Sequence, residues 1–570
     1  MVDFGSTDIA AIENTLEAQR PGGWRRLSAA TLAKYASVAP RAGWELTVHA
    51  GQFRCAAIDR LHVLIDAAFP DSDPRVAVPQ LDIGDWAHVE PRGLLCLTKR
   101  TWQAAPGDRV VQSLRDAADV LDMDVETQQQ EYFAEFSAYW NQRLTPESPL
   151  FMTLVATISG SRELFYHRQT DRGRIVLADD RDELVRWLEH SGVMSEARSL
   201  RRTQLIWLPR PWTPHEFPEL TRDVRSAAKP VDLNGYLRAG EALPVLFGSQ
   251  TKTGPVFVGV DLPGVPRSRF NKGSFRDLSR IPVTMLATMS AGLRVTRCRV
   301  ERVDRAWIYG RDHDAVQASL AAKKVGLVGC GALGSAVARL LVQMGVGRWL
   351  LVDGDGLSAP NTARHVLGNP HIRVNKAVAL RRQLLCDFPH LDSIESFPVD
   401  VRELTDSQRS SLSQCDVIVS AGISWAGDLV LDRWRQSLSR TPVHVCSWVE
   451  EFALAGHAVA LVGNDTLRLR FSADGVPDFR LTTWPATVTT QIMEAGCGNL
   501  FQPHGAVDLI NSAALAAQLV VDVLLGDVKM SRRRVWLGDR ARLAQLGGTP
   551  AAQFDVSHTR REFPWVGGGG

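Results

Sequence analysis

Residues 324–335 read Lys-Val-Gly-Leu-Val-Gly-Cys-Gly-Ala-Leu-Gly-Ser, an apolar run followed by three closely spaced glycines. The apolar run predicts a β-strand, and Gly329, Gly331 and Gly334 have the GxGxxG spacing of a nucleotide-binding turn. Glycines let the backbone turn tightly and approach a phosphate, and the N-terminus of the following helix offers free N–H groups to that anion. The stretch therefore predicts a nucleotide site, although by itself it would also suit a dehydrogenase.

The residues that follow the glycine turn favour a triphosphate over a dinucleotide. A second apolar run ends in Asp353, where a ribose-binding carboxylate would lie. Beyond it come Asp355, Asn361, Arg364 and, twelve residues later, Lys376. A dehydrogenase needs one acid here but no such series. Two cations in this region suit ATP, because they offset the charge of the β- and γ-phosphates.

This series resembles the Asp-x-Asp, Asn-x-x-Arg and Lys pattern of the ThiF/MoeB/ubiquitin-activating superfamily, whose members adenylate a protein C-terminus. The resemblance implies an α/β, Rossmann-like adenylation domain with a parallel-rich sheet, and ATP and Mg²⁺ as cofactors. It implies that Asp353 holds the ribose and that Asn361, Arg364 and Lys376 hold phosphates. The superfamily's magnesium-binding Asp has no counterpart in residues 416–424, and Asp428 is the nearest later carboxylate, so the metal ligand stays open.

A further arginine precedes the nucleotide strand. In the superfamily, an arginine at this place reaches ATP in the partner subunit, and Arg311 is the candidate. The resemblance therefore implies a homodimer formed through the adenylating domain, with Arg311 acting in catalysis. The alternative is a solvated arginine in a linker.

Length and composition limit the remaining possibilities. A chain of 570 residues is too long for one core and predicts several domains. The net charge of +2 indicates no polyanionic partner, so nucleic acid is not expected. The eight cysteines form no CxxC pair, which argues against a sequence-local zinc tetrad. Without a signal peptide or an apolar run near ~18 residues, the chain is expected to be cytoplasmic and not membrane-bound, with reduced thiols.

Cys497 is the first candidate nucleophile. Glycines flank it on both sides, which suits an exposed loop better than a packed element. Cys415 and Cys446 lie in apolar runs and are predicted to be core residues, and Cys330 fits the glycine turn as a small residue. The Gly-Cys-Gly segment with the later Phe-x-Pro-x-Gly-Ala resembles the loop that carries the thioester cysteine in bacterial activating–conjugating fusion proteins.

Cys96 is the second candidate. The run Phe69-Pro-x-x-x-Pro-x-Val-x-Val-Pro79 and the later Gly93-x-x-Cys96-Leu resemble the ubiquitin-conjugating-enzyme fold. That family's His-Pro-Asn triplet is absent, and His88 stands eight residues before Cys96, where the Asn usually stands. His88 either replaces this Asn or is an ordinary surface histidine. The alternative for Cys96 is a buried small residue between leucines.

Four regions are predicted along the chain. Residues 1–145 form an α+β ubiquitin-conjugating-like domain, with a helix near the start, three successive strands over residues 44–66 and a long helix over 116–139. A mixed linker domain follows over 146–305. The adenylation domain with the Cys497 loop spans 306–545. Residues 546–570 are expected to be a flexible tail, whose four terminal glycines either mimic a donor C-terminus or form a disordered end.

A conjugating-like domain ahead of an adenylating domain resembles the ubiquitin-transferase-like family of bacterial type II CBASS anti-phage operons. The resemblance implies that ATP activates the C-terminal glycine of a cGAS-like nucleotidyltransferase. The acyl group would pass through Cys497 and Cys96 to amines on targets. Alternatives are a ThiF/MoeB-type sulfur-carrier adenylyltransferase, an enzyme of another bacterial ubiquitin-like pathway, or a nucleotide-regulated scaffold with a degenerate conjugating fold.

Overall fold

The computed structural model describes residues 4–49, 51–55, 58–98, 104–156, 160–193, 200–269, 281–493, 500–551 and 559–565. The chain divides into two compact units. The first unit comprises Met1–Asp180 with Leu200–Glu301, and the second comprises Arg181–Ser199 with Arg302–Gly570.

The N-terminal part of the first unit is a four-stranded antiparallel sheet in the order β1-β2-β3-β4, covered by helices. Its elements are α1 (Phe4–Gln19), β1 (Trp24–Arg26), α2 (Ala29–Leu32), β2 (Pro40–Thr47), β3 (Arg60–Asp66), β4 (Arg75–Ala77), α3 (Pro106–Leu121), α4 (Val125–Ala134) and α5 (Phe136–Gln142). The core lies between the sheet and the pair α1 and α3, where Ile12, Trp44 and Val63 are fully buried.

Two expectations for this part are wrong. The middle strand predicted for the 44–66 meander does not form over the described residues 51–55, because the N–H of Cys55 bonds the carbonyl of Leu121 at the end of α3 and ties the segment to that helix. The long helix predicted over 116–139 is three helices. Asp124 begins α4 as an N-cap, accepting a hydrogen bond from the Thr127 N–H at 2.7 Å.

The rest of the first unit is a closed seven-stranded barrel among the described residues, in the order β10-β11-β5-β7-β6-β8-β9. Its elements are β5 (Leu150–Thr153), β6 (Arg162–Gln169), β7 (Arg174–Ala178), β8 (Arg201–Trp207), α7 (Thr221–Ala227), β9 (Leu243–Thr251), β10 (Gly254–Leu262), α8 (Val283–Ser290) and β11 (Thr296–Arg302). Aromatic residues of α5 pack against it, with Trp140 stacked on Trp212. The predicted mixed linker domain therefore has a definite architecture that the sequence did not reveal.

The second unit is built on one sheet of eight described strands, in the order β14-β13-β12-β15-β16-β17-β21-β23. The strands are β12 (Lys324–Val328), β13 (Arg348–Val352), β14 (Ser393–Phe397), β15 (Val417–Ala421), β16 (Val443–Val449), β17 (Ala455–Leu461), β21 (Arg532–Leu537) and β23 (Arg560–Pro564). The five strands β14, β13, β12, β15 and β16 run parallel. Strands β17, β21 and β23 continue the sheet in antiparallel pairs. The predicted α/β fold with a parallel-rich sheet is confirmed.

Helices cover both faces of this sheet, as parallel strands require. They are α6 (Arg181–His190), α9 (Arg305–Gly310), α10 (Ala315–Ala321), α11 (Ala332–Gln343), α12 (Lys376–Asp387), α13 (Asp406–Ser413), α14 (Trp425–Gln436), α15 (Ala506–Leu525) and α16 (Arg540–Gln545). Two short strand pairs complete the unit: β18 (Thr482–Thr483) with β22 (Thr549–Pro550), and β19 (Ile492–Met493) with β20 (Leu500–Phe501).

Among the described helices, α15 is the one long and apolar enough to cross a membrane. In its most apolar window, 56% is buried inside the protein. It packs on α11 and β17, and this burial suits a core helix.

Two predicted boundaries need correction. Helix α6 was assigned to the linker domain but belongs to the second unit, where the ring of His190 bonds the carbonyl of Pro389 at 2.9 Å. The predicted flexible tail contains β22 and β23, because β23 extends the main sheet beside β21. Trp565 closes it with an indole only 1% exposed, donating to the Thr466 carbonyl. Gly567–Gly570 lie outside the described residues.

Candidate functional site

The glycine turn connects β12 to α11 at the carboxyl edge of the sheet. Gly329 has a φ of +89°, and a Cβ there would lie 2.6 Å from the carbonyl of Ala421. A Cβ at Gly334 would overlap the carbonyl of Gly329. A Cβ at Gly331, in contrast, would meet nothing within 4 Å. The outer glycines therefore serve internal packing, and the middle one faces open space that a ligand can occupy.

The N-terminus of α11 begins at this open space. Gly331 is its N-cap, with no side-chain cap, and no acidic residue stands in the first turn. The first N–H groups of a helix lack intrahelical partners, and the helix dipole favours negative charge at this end. These residues therefore fit a phosphate-bearing ligand.

Asp353 follows β13 and anchors the turn. Its carboxylate accepts the N–H of Cys330 at 2.6 Å and that of Asp355 at 2.8 Å. Burial raises the pKa of Asp353, and the two N–H groups oppose that rise. The predicted ribose ligand thus lies next to the glycine turn, at the end of the neighbouring strand.

Lys376 begins α12 and is held at the same edge. Its Nζ lies 2.9 Å from the carboxylate of Asp355, and the lysine side chain is 13% exposed against 76% for the aspartate. Asn375, which sequence reasoning missed, caps α12 and donates from Nδ2 to the carbonyls of Asp353 and Asp355 at 2.8 and 3.2 Å. An Asn directly before a helical Lys is the signal that could have revealed it.

Asn361 and Arg364 lie in a 3₁₀ turn between β13 and α12. The side-chain oxygen of Asn361 accepts the N–H and hydroxyl of Ser358 at 3.1 and 3.0 Å, so it shapes the turn. Arg364 ends the turn. Burial lowers the pKa of His504, and the positive charge of Arg364 acts in the same direction. Arg364 is therefore electrostatically coupled to the segment that follows Cys497.

His365 links the glycine turn to the segment between β13 and α12. Its Nδ1 accepts the N–H of Leu367 at 3.0 Å, so Nε2 carries the proton and donates to the carbonyl of Cys330 at 2.7 Å. The residue is 7% exposed, and burial lowers the pKa of its ring, which keeps the imidazole neutral. The glycine turn is thus bonded to the segment that carries Asn361 and Arg364.

We expect His365→Ala to weaken ATP binding by roughly five- to a hundredfold, because it leaves the buried carbonyl of Cys330 without its donor, a loss of about 1–3 kcal/mol. His365→Gln should bind ATP almost normally, since its amide can donate and accept in the same directions. Calorimetric titration with a non-hydrolysable ATP analogue measures both. His371→Gln is the matched control, because His371 bonds Gln383 on α12 instead. Equal weakening in all three variants would contradict the linking role.

Cys497 itself lies outside the described residues. The chain leading to it is held by the buried carboxylate of Glu450, which bonds the His457 ring at 2.7 Å and the N–H groups of Leu481 and Thr482 at 2.7 and 2.8 Å. Burial alone would raise the pKa of Glu450, but these hydrogen bonds outweigh it, and the pKa is lowered. A charged carboxylate therefore fixes the start of β18, fifteen residues before Cys497.

The magnesium ligand missing from the sequence stays missing in the structure. Residues 420–424 provide no carboxylate after β15, and the side chain of Asp428 is bonded to Ser420 at 2.6 Å. Asp355 is the carboxylate of this site with a largely exposed side chain. Magnesium ions in phosphate sites use one or two carboxylates together with phosphate oxygens, a pattern that Asp355 fits.

Arg311 follows α9 with a φ of +51°. Its guanidinium lies 5.0 Å from the ring centre of Trp307 and is presented on the surface. Arg302 lies over the same ring at 4.8 Å and bonds Asp304 and Asp312. The predicted catalytic arginine is thus oriented by its own chain.

In the first unit, Cys96 is exposed, whereas Leu94 and Leu95 are 3% and 0% exposed. Gly93 permits this arrangement, because a Cβ there would overlap the carbonyl of Val78. A groove of about 790 Å³ adjoins Cys96, with five carboxylates and two arginines along its walls. The buried alternative for Cys96 is therefore wrong.

His88 contacts Cys96 through the main chain, since its carbonyl accepts the Cys96 N–H at 2.8 Å. Its imidazole lies between two carboxylates, 3.4 Å from that of Glu131 in α4 and 3.6 Å from that of Glu135, which caps the end of α4. His88 adopts a φ of +59°, and its N–H donates to the Tyr139 hydroxyl at 2.6 Å. The residue therefore shapes the loop beside the thiol.

Comparison with known proteins agrees with both halves of this description. Residues 305–466 match the model of the ThiF family, and residues 27–147 match that of Prokaryotic E2 family B. The chain is 26% identical over 377 residues to the ATP-dependent ubiquitin transferase-like protein Cap2 of Pseudomonas aeruginosa, covering 64% of this chain and 66% of that protein. It is 24% identical over 328 residues to the protein of the same name from Vibrio cholerae, covering 50% and 52%.

Among solved structures, E. coli MccB with AMPCPP and MccA aligns with a TM-score of 0.28 and 18% identity, over 39% of this chain and 63% of that one. The chain spans 66% of the length of the Pseudomonas relative, just under two thirds. The predicted adenylating and conjugating domains are both confirmed by the family matches. Residues 27–147 are therefore a region of the Prokaryotic E2 family B type, and residues 305–466 are a region of the ThiF type.

Proposed function

We propose that this chain uses ATP to activate the C-terminal glycine of a partner protein and transfers it through two cysteines to an amine. The observation that carries the proposal is the uncapped N-terminus of α11, which opens onto free space at Gly331 beside Asp353 and Lys376. The exposure of Cys96 on the E2-type domain of the same chain extends it from adenylation to conjugation.

In the adenylation step, a carboxylate oxygen of the donor attacks the α-phosphorus of ATP, and the bond to pyrophosphate breaks. The N-terminus of α11 faces the phosphates, and Asp353 accepts the ribose hydroxyls. Lys376 and Arg364 hold the charge of the leaving pyrophosphate. Mg²⁺, with Asp355 among its ligands, would supply further neutralisation of the phosphates.

Two transfers of the acyl group to cysteine thiolates follow. The thiolate of Cys497 attacks the acyl carbon, a thioester forms and AMP leaves. The thiolate of Cys96 then attacks this thioester and releases Cys497. An amine nitrogen finally attacks the thioester on Cys96, forming an amide and freeing Cys96 as a thiolate, while the proton of the amine passes to solvent.

For the donor we propose a cGAS-like nucleotidyltransferase ending in glycine, in the setting of anti-phage defence. Two relatives carry the name ATP-dependent ubiquitin transferase-like protein Cap2, which supports a conjugating role. The acceptors are amines on target proteins, and the reaction belongs in the cytoplasm, where thiols stay reduced.

A non-reducing gel with ATP and a glycine-ending nucleotidyltransferase encoded beside this chain tests the proposal. Conjugation requires a thiol-sensitive adduct at both Cys497 and Cys96. An adduct at Cys497 alone would favour a sulfur-carrier adenylyltransferase instead. No adduct at either cysteine, with ATP bound, would favour a nucleotide-regulated scaffold.

We further propose that the adenylation domain forms a homodimer in which Arg311 completes the site of the partner subunit. Arg311→Ala and Lys376→Ala, each inactive alone, should then recover part of the ATP–pyrophosphate exchange on mixing, because one hybrid site contains both residues. Subunit exchange is verified with differently tagged copies. Absence of recovery after verified exchange would remove Arg311 from the partner's site.

A further inference from the structure

Four polar side chains meet in the core of the second unit, and the proposed reaction uses none of them. The hydroxyl of Ser420 bonds Asp428 at 2.6 Å and the Nε2 of His444 at 3.0 Å. The Sγ of Cys446 lies 3.3 Å from that same Nε2. Ser420, His444 and Cys446 are at most 1% exposed, and Asp428 is half-buried.

Strand geometry explains the meeting. His444 and Cys446 are two residues apart on β16, so their side chains share one face. Ser420 of β15 is the register partner of Cys446 and lies on that face too. Asp428 reaches them from the first turn of α14, four residues after its N-cap Ser424.

We propose that Asp428, His444 and Cys446 bind a divalent transition-metal ion, with zinc the best match, and that Ser420 or a water molecule completes the coordination. The donor atoms of the three residues all lie within 4.8 Å of one another. In a tetrahedral zinc site, bonds of about 2.3 Å to sulfur and 2.0–2.1 Å to nitrogen place those two atoms roughly 3.5 Å apart. The Sγ of Cys446 lies 3.3 Å from Nε2 and 3.5 Å from Nδ1, over the face of the His444 ring, so the cysteine side chain would turn about χ1 to share an ion with Nε2.

The charges also suit such an ion. The imidazole of His444 offers a lone pair when neutral, and the carboxyl group of Asp428 and the thiol of Cys446 both ionise when they bind a metal ion. Binding would displace one proton from each to solvent, leaving a carboxylate and a thiolate whose two charges balance M²⁺.

The nearby cation Arg435 is held by other partners and does not neutralise these ligands. The guanidinium of Arg435 is committed to Asp432 at 3.2 Å and to the carbonyls of Gly463 and Asp465. A soft thiolate ligand excludes Mg²⁺ as the occupant, so this site is distinct from any magnesium bound with ATP.

The test is the zinc content of the full-length protein. Wild type, Cys446→Ser and Asp428→Asn are loaded with zinc chloride, desalted and measured by plasma mass spectrometry. Each variant should hold about one zinc fewer per chain than wild type, since one ligand of a single site is removed. Cys415→Ser is the matched control. Cys415 is equally buried, but its Sγ bonds the Ser411 carbonyl, so this variant should keep the wild-type content.

Cobalt substitution protects the test against variants that fail to fold. Wild-type protein loaded with Co²⁺ should show thiolate-to-cobalt charge-transfer absorption, retained in Cys497→Ser and lost when zinc is added. Equal zinc in wild type, Cys446→Ser and Asp428→Asn, or a cobalt form without that absorption, would overturn the proposal and leave a hydrogen-bonded cluster. Neither readout depends on adenylation or conjugation.

Discussion

ATP–pyrophosphate exchange is expected to disappear when Lys376 or Arg364 is replaced by alanine. Each change removes a charge-assisted contact at the place where pyrophosphate leaves, a loss of ~2–4 kcal/mol or roughly 30- to 1000-fold in rate. Lys376 starts α12 beside the glycine turn. Arg364 ends the 3₁₀ turn that follows β13, and the hydrogen bond from His365 to Cys330 ties that 3₁₀ turn to the glycine turn. Exchange of labelled pyrophosphate into ATP, measured with saturating donor protein, detects both losses.

Arg382→Ala is the matched control for this experiment. Arg382 is exposed on the same helix as Lys376, about 1.7 turns further along. It should exchange at the wild-type rate. Wild-type exchange by Lys376→Ala or Arg364→Ala would show that the residue in question does not contact the phosphates. Loss in all three variants, with unfolding in thermal melts, would point to a weakened helix instead.

The second large effect is expected at the cysteines. Cys497→Ala should still form the acyl-adenylate, seen as pyrophosphate exchange, but no thioester. Cys96→Ala should accumulate the thioester on Cys497 and give no amide product, because the acyl group has nowhere further to go. Gels run with and without reductant separate the thioester from the amide.

Cys386→Ala is the control for these variants, because Cys386 is another exposed cysteine, on α12. It should conjugate normally. Normal conjugation by Cys96→Ala would reduce the E2-type domain to a docking module. Normal thioester formation by Cys497→Ala would transfer the first thiol step to another cysteine.

Sequence reasoning succeeded where function depends on neighbours along the chain. Gly329 and Gly334 were predicted from their spacing, and the structure shows that neither tolerates a Cβ. Cys96 was selected from the motif Gly93-x-x-Cys96-Leu, and the structure shows that it is exposed. Such features are local, and a strand–turn–helix imposes them wherever it occurs.

Features made by distant segments were missed. The seven-stranded barrel joins β10 to β11 and β5 to β7 across long separations, which no short motif encodes. Cys446 was predicted to be a core residue from its apolar neighbours. It is buried, but His444 and Asp428 accompany it, and only the register of β15 with β16 and the docking of α14 bring them together. His365 was likewise invisible as a link to Cys330, because its partner lies 35 residues away.

The ion pair of Lys376 with Asp355 has a consequence for how a nucleotide enters. The Nζ of Lys376 lies 2.9 Å from a carboxylate that faces solvent, so the charge of the lysine is already paired. Under the proposed function, an incoming phosphate would displace that carboxylate, and the freed Asp355 would be available as a ligand for the cation that accompanies the phosphate. The phosphate would then pair with Lys376 and the metal ion with Asp355, so neither side chain would lose its counter-charge on binding. Such an exchange would favour binding of a metal–triphosphate complex over binding of either component alone.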